Sequence, residues 1–264
     1  MLLIAAALAE ELDIALDLCR SRSILGAGNV RIRTGTFQGQ AIYFLKTGVG
    51  PVRAGRNLDA VLSEFHPRRI LIIGYAGALS PGMNLGDLVV MRRTSIFGED
   101  EAKHRPLEQM EISASYELDG SSELYHLAQT AGLTAHRGEG LTSHFIIGDP
   151  RQKQILHRRF GALSIDMETA ALARSAGAVR IPLSCVRAVS DNANDEFLAP
   201  FSYDPGVSPF DRAIRVLAAG NWLNRFHSWR ERAATARESL RSLLNHCFEV
   251  WAKGGGDDSW LQEC

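Results

Sequence analysis

"RRILIIG", Arg68–Gly74, decides the fold. Its centre, Ile70–Ile73, is four aliphatic residues with no polar alternation. That is the signature of a strand covered on both faces rather than half-exposed to water. Such a strand needs helices packed above and below it, and the flanking sequence supplies them. Upstream, Arg53–Phe65 sets Ala54, Leu58, Val61, Leu62 and Phe65 at helical spacing. Earlier still, Leu2–Leu8 is an apolar run predicting a buried strand, followed by helical spacing over Glu11–Cys19. "VRIRTGTF" (Val30–Phe37) and "AIYFLKTG" (Ala41–Gly48) alternate as a hairpin or meander would. Downstream, "GDLVVMRRTSIF" (Gly86–Phe97) predicts a further strand, followed by a polar stretch from Gly98 to about Ile112. Helices are predicted over Ser121–Ala131 and Pro150–Phe160, the second started by Gly148-Asp149-Pro150. "IPLSCVRAVSD" (Ile181–Asp191) is the last clear strand. The alternation predicts an α/β fold, three layers α/β/α with a central mixed sheet.

Beyond Asp191 the pattern changes. Asn192–Asp211 is rich in Asn, Asp, Pro and Gly and reads as a long loop. Arg212–Lys253 is helical in character, and 254–264 reads as a flexible tail. With no linker or internal repeat, the expectation is one domain over 1–253, carrying a helical extension from about 209 to 253. Composition is that of a globular protein, 45% apolar and 22% charged. A net charge of −1 argues against a nucleic-acid surface or a polybasic membrane contact. The four cysteines show no CxxC or zinc spacing, as expected of free thiols in a reducing compartment. "MLLIAAALA" lacks the basic stretch of a signal peptide, and no apolar run reaches the roughly 20 residues of a membrane span, so a cytoplasmic protein is expected. The histidines stand singly, without HxH or HExxH, and no GxGxxG occurs. Neither a metal nor a cofactor is predicted.

Three acids fall at predicted strand ends or helix starts: Glu11, Glu168 and Asp191. In open α/β sheets that is where ligands bind. Each has a plainer reading: Glu11 as a cap of the first helix, Glu168 as a dipole partner in a first turn, Asp191 as an Asx-turn residue. Glu168 lies in "SIDMETAALA" (Ser164–Ala173), where acids sit among residues suited to a buried helix, and buried acids need partners. Three such acids converging from separate elements point to a site. Gly48 and Gly50 lead into a helix started by Pro51, an anion-binding geometry with Lys46 and Arg53 close by.

Taken in order, "LAEELD" (Leu8–Asp13), "TGVGPVRA" (Thr47–Ala54), "IIGYAGAL…LGDLVV", "SIDMETAALA" and "VRAVSD" make the chain similar to the purine nucleoside phosphorylase and nucleosidase superfamily over about Met1–Asn194. Within it the sequence most resembles the methylthioadenosine/S-adenosylhomocysteine nucleosidases. That resemblance implies cleavage of a purine N-glycosidic bond with no cofactor. Asp191 would donate a proton toward N7, and Glu11 would orient and deprotonate the attacking water. Glu168 would accept bonds from the ribose hydroxyls, with Met167 on the sugar face. Phe145 would stack on the base, Ile146 would offer backbone groups to its edge, and Tyr75 and Gly77 would line the pocket. Asp166 reads as a helix cap. Phosphorylases of this superfamily carry a Gly-Asp-Pro-x-Arg-type phosphate loop after the first strand, where this chain has "ALAEELD". An acid there repels phosphate and suits water activation, which favours hydrolysis. Phosphorolysis remains the alternative, with the Gly48–Gly50 turn, Lys46 and Arg53 as its anion or 5′ side. A homo-oligomer is implied by the same resemblance.

The chain departs from the nucleosidase pattern in two places. Tyr75 stands where a small residue, often Ser, is usual. The helical end carries Trp222, Leu223, Phe226, Trp229 and Trp251, expected to pack on the domain or a partner subunit. The sharper reading is a contact for a bulky apolar 5′ group or a membrane surface. In that respect the chain is similar to the hopanoid-associated branch, where a nucleosidase or phosphorylase removes adenine from adenosylhopane. A non-catalytic nucleoside-binding protein on the same fold is the remaining alternative.

Overall fold

A computed structural model describes residues 1–27, 29–98, 106–196 and 222–254. Its strands are β1 (Leu2–Ala6), β2 (Arg20–Ala27), β3 (Val30–Phe37), β4 (Gln40–Lys46), β5 (Arg69–Ala78), β6 (Leu88–Phe97), β7 (Ile112–Glu117), β8 (Ala135–Ser143), β9 (Ser164–Asp166) and β10 (Leu183–Asp191). Its helices are α1 (Ala9–Leu16), α2 (Pro51–Leu62), α3 (Ser121–Thr130), α4 (Pro150–Phe160), α5 (Thr169–Ala178) and α6 (Trp222–Lys253). The strands form one mixed ten-stranded sheet. β1, β5 and β10 run parallel side by side, with β4 parallel to β1 on the outer flank and β3 and β2 following antiparallel. On the other flank β10 pairs antiparallel with β6, β6 parallel with β8, and β8 parallel with β9. β9 returns to pair with Gly77 and Ala78 at the end of β5, so the sheet curls closed on that side.

The continuous aliphatic run of β5 splits between two layers as the strand period requires. Leu71 and Ile73 face one core with Leu2 and Ile4 of β1, helices α1 and α3, and α6. Ile70 and Ile72 face the other with Leu3 and Ala5, helix α2 and helix α5. A third cluster, Leu79, Phe97, Leu141, Leu156 and Ile165 among its members, seats α4 under the curled end. α6 is 32 residues long, and Ala236, Leu240, Leu243, Leu244, Cys247, Phe248 and Trp251 give it an apolar stripe that is buried against the first core. Phe248 meets Phe37 at 5.4 Å between ring centroids. Truncating such a ring costs about 3–5 kcal/mol, so this helix is a structural layer. Side chains of 222–232, including Trp222, Leu223, Phe226 and Trp229, lie outside the described residues, as do 197–221 of the predicted loop and helix and the tail from 255. No described helix is long and apolar enough to cross a membrane.

Some elements differ from the sequence reading. α1 begins at Ala9 and ends at Leu16, so Cys19 lies past it. β2 and β8 carry no sequence period, while β7, "ISASYE", alternates over six residues inside the stretch read as polar. β2 is an edge strand whose Ile24 and Leu25 are exposed. β8, "AHRGEGLTS", is a strand because it is paired on both sides. Its Gly138 and Gly140 make room for Leu163 and Met91, whose side chains come within 2.5 Å of where a Cβ would stand. Helix α4 starts as predicted, with Asp149 accepting from the Arg151 amide at 2.7 Å and Pro150 in the first turn.

Candidate active site

Parallel β1, β5 and β10 end on the same side of the sheet, and the cavity opens there. β1 ends at Ala6 and the chain turns into α1, whose first turn carries Glu11. The side chain folds inward, 3% exposed. Its Oε2 accepts from the Leu8 amide at 2.8 Å, as a capping acid would. Its Oε1 reaches across to accept from the Tyr75 amide on β5 at 2.9 Å. The plain and the functional readings of Glu11 therefore describe one geometry. Gly74 makes it possible: at φ +148° a Cβ there would stand 2.6 Å from Glu11 Oε1 and 2.4 Å from Arg187 Nη1. Burial pushes the Glu11 carboxyl above the usual range, and the Arg187 charge opposes this.

Glu168 stands between β9 and α5, 5% exposed. Its Oε1 accepts from the Gly50 amide at the start of α2, 3.0 Å away, and its Oε2 is 3.6 Å from Arg187 Nη2. Burial is the main cause that raises this carboxyl to about 7, with Asp166 and Glu11 adding repulsion against Arg187 and the Gly50 amide. Asp166 caps α5, accepting from the amides of Glu168 and Thr169 at 3.1 Å and from the Thr169 hydroxyl. Arg187, fully buried on β10, lies beneath all of this. Its Nε is 3.1 Å from Asp166 Oδ2, its Nη2 donates to Thr169 Oγ1 at 2.9 Å, and its charge acts on both glutamates. The sequence reading missed Arg187. Its only signal is a cation inside the apolar run "LSCVRAVSD".

Asp191 ends β10, 1% exposed. Its Oδ1 accepts from Ser190 Oγ at 2.9 Å, and its Oδ2 lies 2.5 Å from Lys153 Nζ. Gly77 abuts it, since a Cβ there would come within 2.9 Å of Oδ2. Phe145 is held by a local exchange in which its amide donates to Ser143 Oγ at 3.1 Å and Ser143 Oγ donates to its carbonyl at 2.8 Å. Its ring meets Phe97 edge-on at 5.7 Å.

Glu11, Tyr75, Gly77, Phe145, Ile146, Met167, Glu168 and Asp191 thus line one cavity, joined by Ala7, Leu8, Val49, Ile147, Ile165 and Ser190. Of the predicted anion set, only Gly50 reaches this machinery, through Glu168. Lys46 and Arg53 are exposed, and Arg53 lies along Gly48. The tip of α2 is therefore already occupied by the chain's own carboxylate. Tyr75 packs its half-buried ring on the core that holds α6, and burial with the Glu11 charge pushes its phenol up. Among the described residues no cluster of His, Cys, Asp and Glu is arranged to hold a metal.

Comparison with known proteins agrees with this architecture. The chain is 26% identical over 201 residues to the 5′-methylthioadenosine/S-adenosylhomocysteine nucleosidase of Staphylococcus aureus (strain JH9), covering 74% of this chain and 88% of that protein. It shares its fold with the corresponding nucleosidase from Neisseria meningitidis, solved in complex with methylthio-immucillin-A, at a TM-score of 0.69 and 17% identity over 92% of this chain and 97% of that one. Futalosine hydrolase of Helicobacter pylori strain 26695 superposes at 0.70 with 18% identity, over 92% and 97%. Residues 2–214 match the phosphorylase superfamily, and with most of the sequence inside that match the chain belongs to this superfamily.

Proposed function

We propose that the protein is a nucleosidase that hydrolyses the N-glycosidic bond of an adenine nucleoside of the methylthioadenosine/adenosylhomocysteine type. Phe145 stacks on the base and Glu168 accepts bonds from the ribose hydroxyls, which strengthen as the sugar gains positive charge. Asp191 gives a proton to N7, and the C1′–N9 electron pair leaves with the neutral purine. Water attacks C1′ and its proton passes to Glu11, whose affinity for protons is raised by burial. The observation that carries hydrolysis over phosphorolysis is the Gly50–Glu168 bond: the helix tip suited to phosphate holds a glutamate, and Glu11 stands in the same cavity. Arg187, the buried cation below, is engaged by Asp166 and Glu168.

The test is adenine release from methylthioadenosine, adenosylhomocysteine and adenosine, with and without phosphate. Release independent of phosphate is expected. Strict phosphate dependence would make the protein a phosphorylase, and binding without release would make it a nucleoside-binding protein.

A further inference from the structure

Lys153 takes no part in that scheme, yet it is fully buried and sits against the proposed acid. It projects from the first turn of α4, within a run of charged residues, "PRQKQILHRR", that reads as solvent-facing. All three of its ammonium hydrogens have an acceptor: Asp191 Oδ2 at 2.5 Å, the Asn192 carbonyl at 2.7 Å and the Asp195 carbonyl at 3.2 Å. A buried cation is tolerated only when so matched. The other groups near Asp191 offer no second positive charge. Ser190 hydrogen bonds Oδ1, and the Asp195 carboxylate accepts from the Asn192 amide at 3.3 Å. Across the cavity stand Glu11, Asp166 and Glu168, and the Arg187 charge is spent on those three. His157, one turn further along α4, is bonded to the Ala162 carbonyl.

Resting on the assignment of Asp191 as the acid, we propose that Lys153 is a positioning residue that holds in reserve the proton Asp191 delivers to the purine. The lysine and the aspartate share one transferable proton, which rests on the ammonium and moves onto the carboxylate as the glycosidic bond stretches. When N7 takes it, Lys153 is left neutral, Asp191 returns to carboxylate, and the C1′–N9 electrons stay with the base. The contacts to Asn192 and Asp195 also fix the turn that follows β10, and with it the aim of Asp191.

The experiment is the pH profile of kcat and kcat/KM for K153M, K153R and D191N beside the wild type, with nucleoside binding measured on each. In K153M the alkaline limb is expected to move to lower pH by at least one unit and kcat to fall about 10–100-fold, the range of a weakened general acid, with KM little changed. K153R keeps the charge and the pairing but cannot release a proton, so it should fold and bind while staying slow. A folded K153M with the wild-type limb, or a K153R with wild-type kcat, would overturn the inference. Should K153M fail to fold, K153R alone decides. Undiminished turnover in D191N would instead remove the acid assignment on which this rests.

Discussion

The two ends of the cavity handle buried carboxylates in opposite ways. At the Asp191 end, one acid faces one lysine, and every hydrogen on that lysine is used. At the Glu11–Glu168 end, three acids share one arginine, and both glutamates are pushed toward the protonated form. A buried pair is tolerated where each group meets its partner and the remaining hydrogens are satisfied. A cation-poor cluster is held together by the rest of the fold, and burial raises the proton affinity of both its glutamates, Glu168 to about 7. On the proposed mechanism one end holds a proton in place, and the other accepts one and meets a developing positive charge.

The sharpest way to break this comparison is to remove the shared cation. Arg187→Met leaves the buried Asp166, Glu168 and Glu11 without a counter-charge. Unpairing buried charge costs about 3–5 kcal/mol, a large part of the 5–15 kcal/mol typical of a domain. Thermal unfolding should show a fall in Tm of ten degrees or more, or no soluble protein. A fall of only a degree or two would mean that the three acids are already neutral and the cluster is not cation-poor. At the other end, Asp191→Asn keeps the shape and removes the proton. Cleavage should drop by about 10²–10⁴-fold, while nucleoside binding measured by calorimetry stays within a few-fold of wild type. A variant that lost binding and turnover together would place Asp191 in recognition instead.

The sequence makes these ends unequally legible. Ile70–Ile73 announces a doubly covered strand because its apolar run is local, and the helix start at Asp149-Pro150 is equally local. Glu11, Glu168 and Asp191 stand out as acids where ligands bind, and the structure brings them into one cavity. Their partners are hidden. Lys153 sits in a charged run, and nothing nearby says that its ammonium meets a strand end 38 residues on. The Gly48–Gly50 turn has a legible geometry but not a legible occupant, since Glu168 reaches Gly50 from 118 residues away. β8 is missed for the same reason: apart from Leu141 its residues are polar or small, and only pairing with β6 and β9 makes it a strand.

A smaller effect sharpens the cation-poor end. Glu168 holds a proton up to about pH 7 in the folded protein, against an ordinary value of 4.5. Between those two values the folded state binds protons that the unfolded chain has released, so stability falls as pH rises and the cost is complete above about pH 7. Glu168→Gln removes that cost while losing the carboxylate proposed to bind ribose. Its Tm should approach that of wild type near pH 4.5 and exceed it by a few degrees at pH 8, at about 2–4 °C per kcal/mol for a chain of this size. Nucleoside affinity should fall at both pH values, and wild-type affinity should itself weaken below pH 7 as Glu168 protonates. A variant that melts lower than wild type at pH 8 would show that the Gly50 and Arg187 contacts outweigh burial.

The smallest expected effect asks whether the long C-terminal helix helps set the Glu11 end. Arg237 of α6 donates to the Glu10 carbonyl at 3.1 Å and lies 3.4 Å from Asp17, tying the helix to α1 next to the proposed base. Both side chains of that ion pair are more than a third exposed, and such pairs contribute at most about 1 kcal/mol. Glu11 itself is fixed by the Leu8 and Tyr75 amides and by Arg187, none of which belongs to α6. Arg237→Ala should therefore lower Tm by only a few degrees and leave kcat within twofold. A tenfold loss of kcat with little change in Tm would mean that α6 holds the first turn of α1 in register for catalysis. The cation-poor end would then extend to the long C-terminal helix.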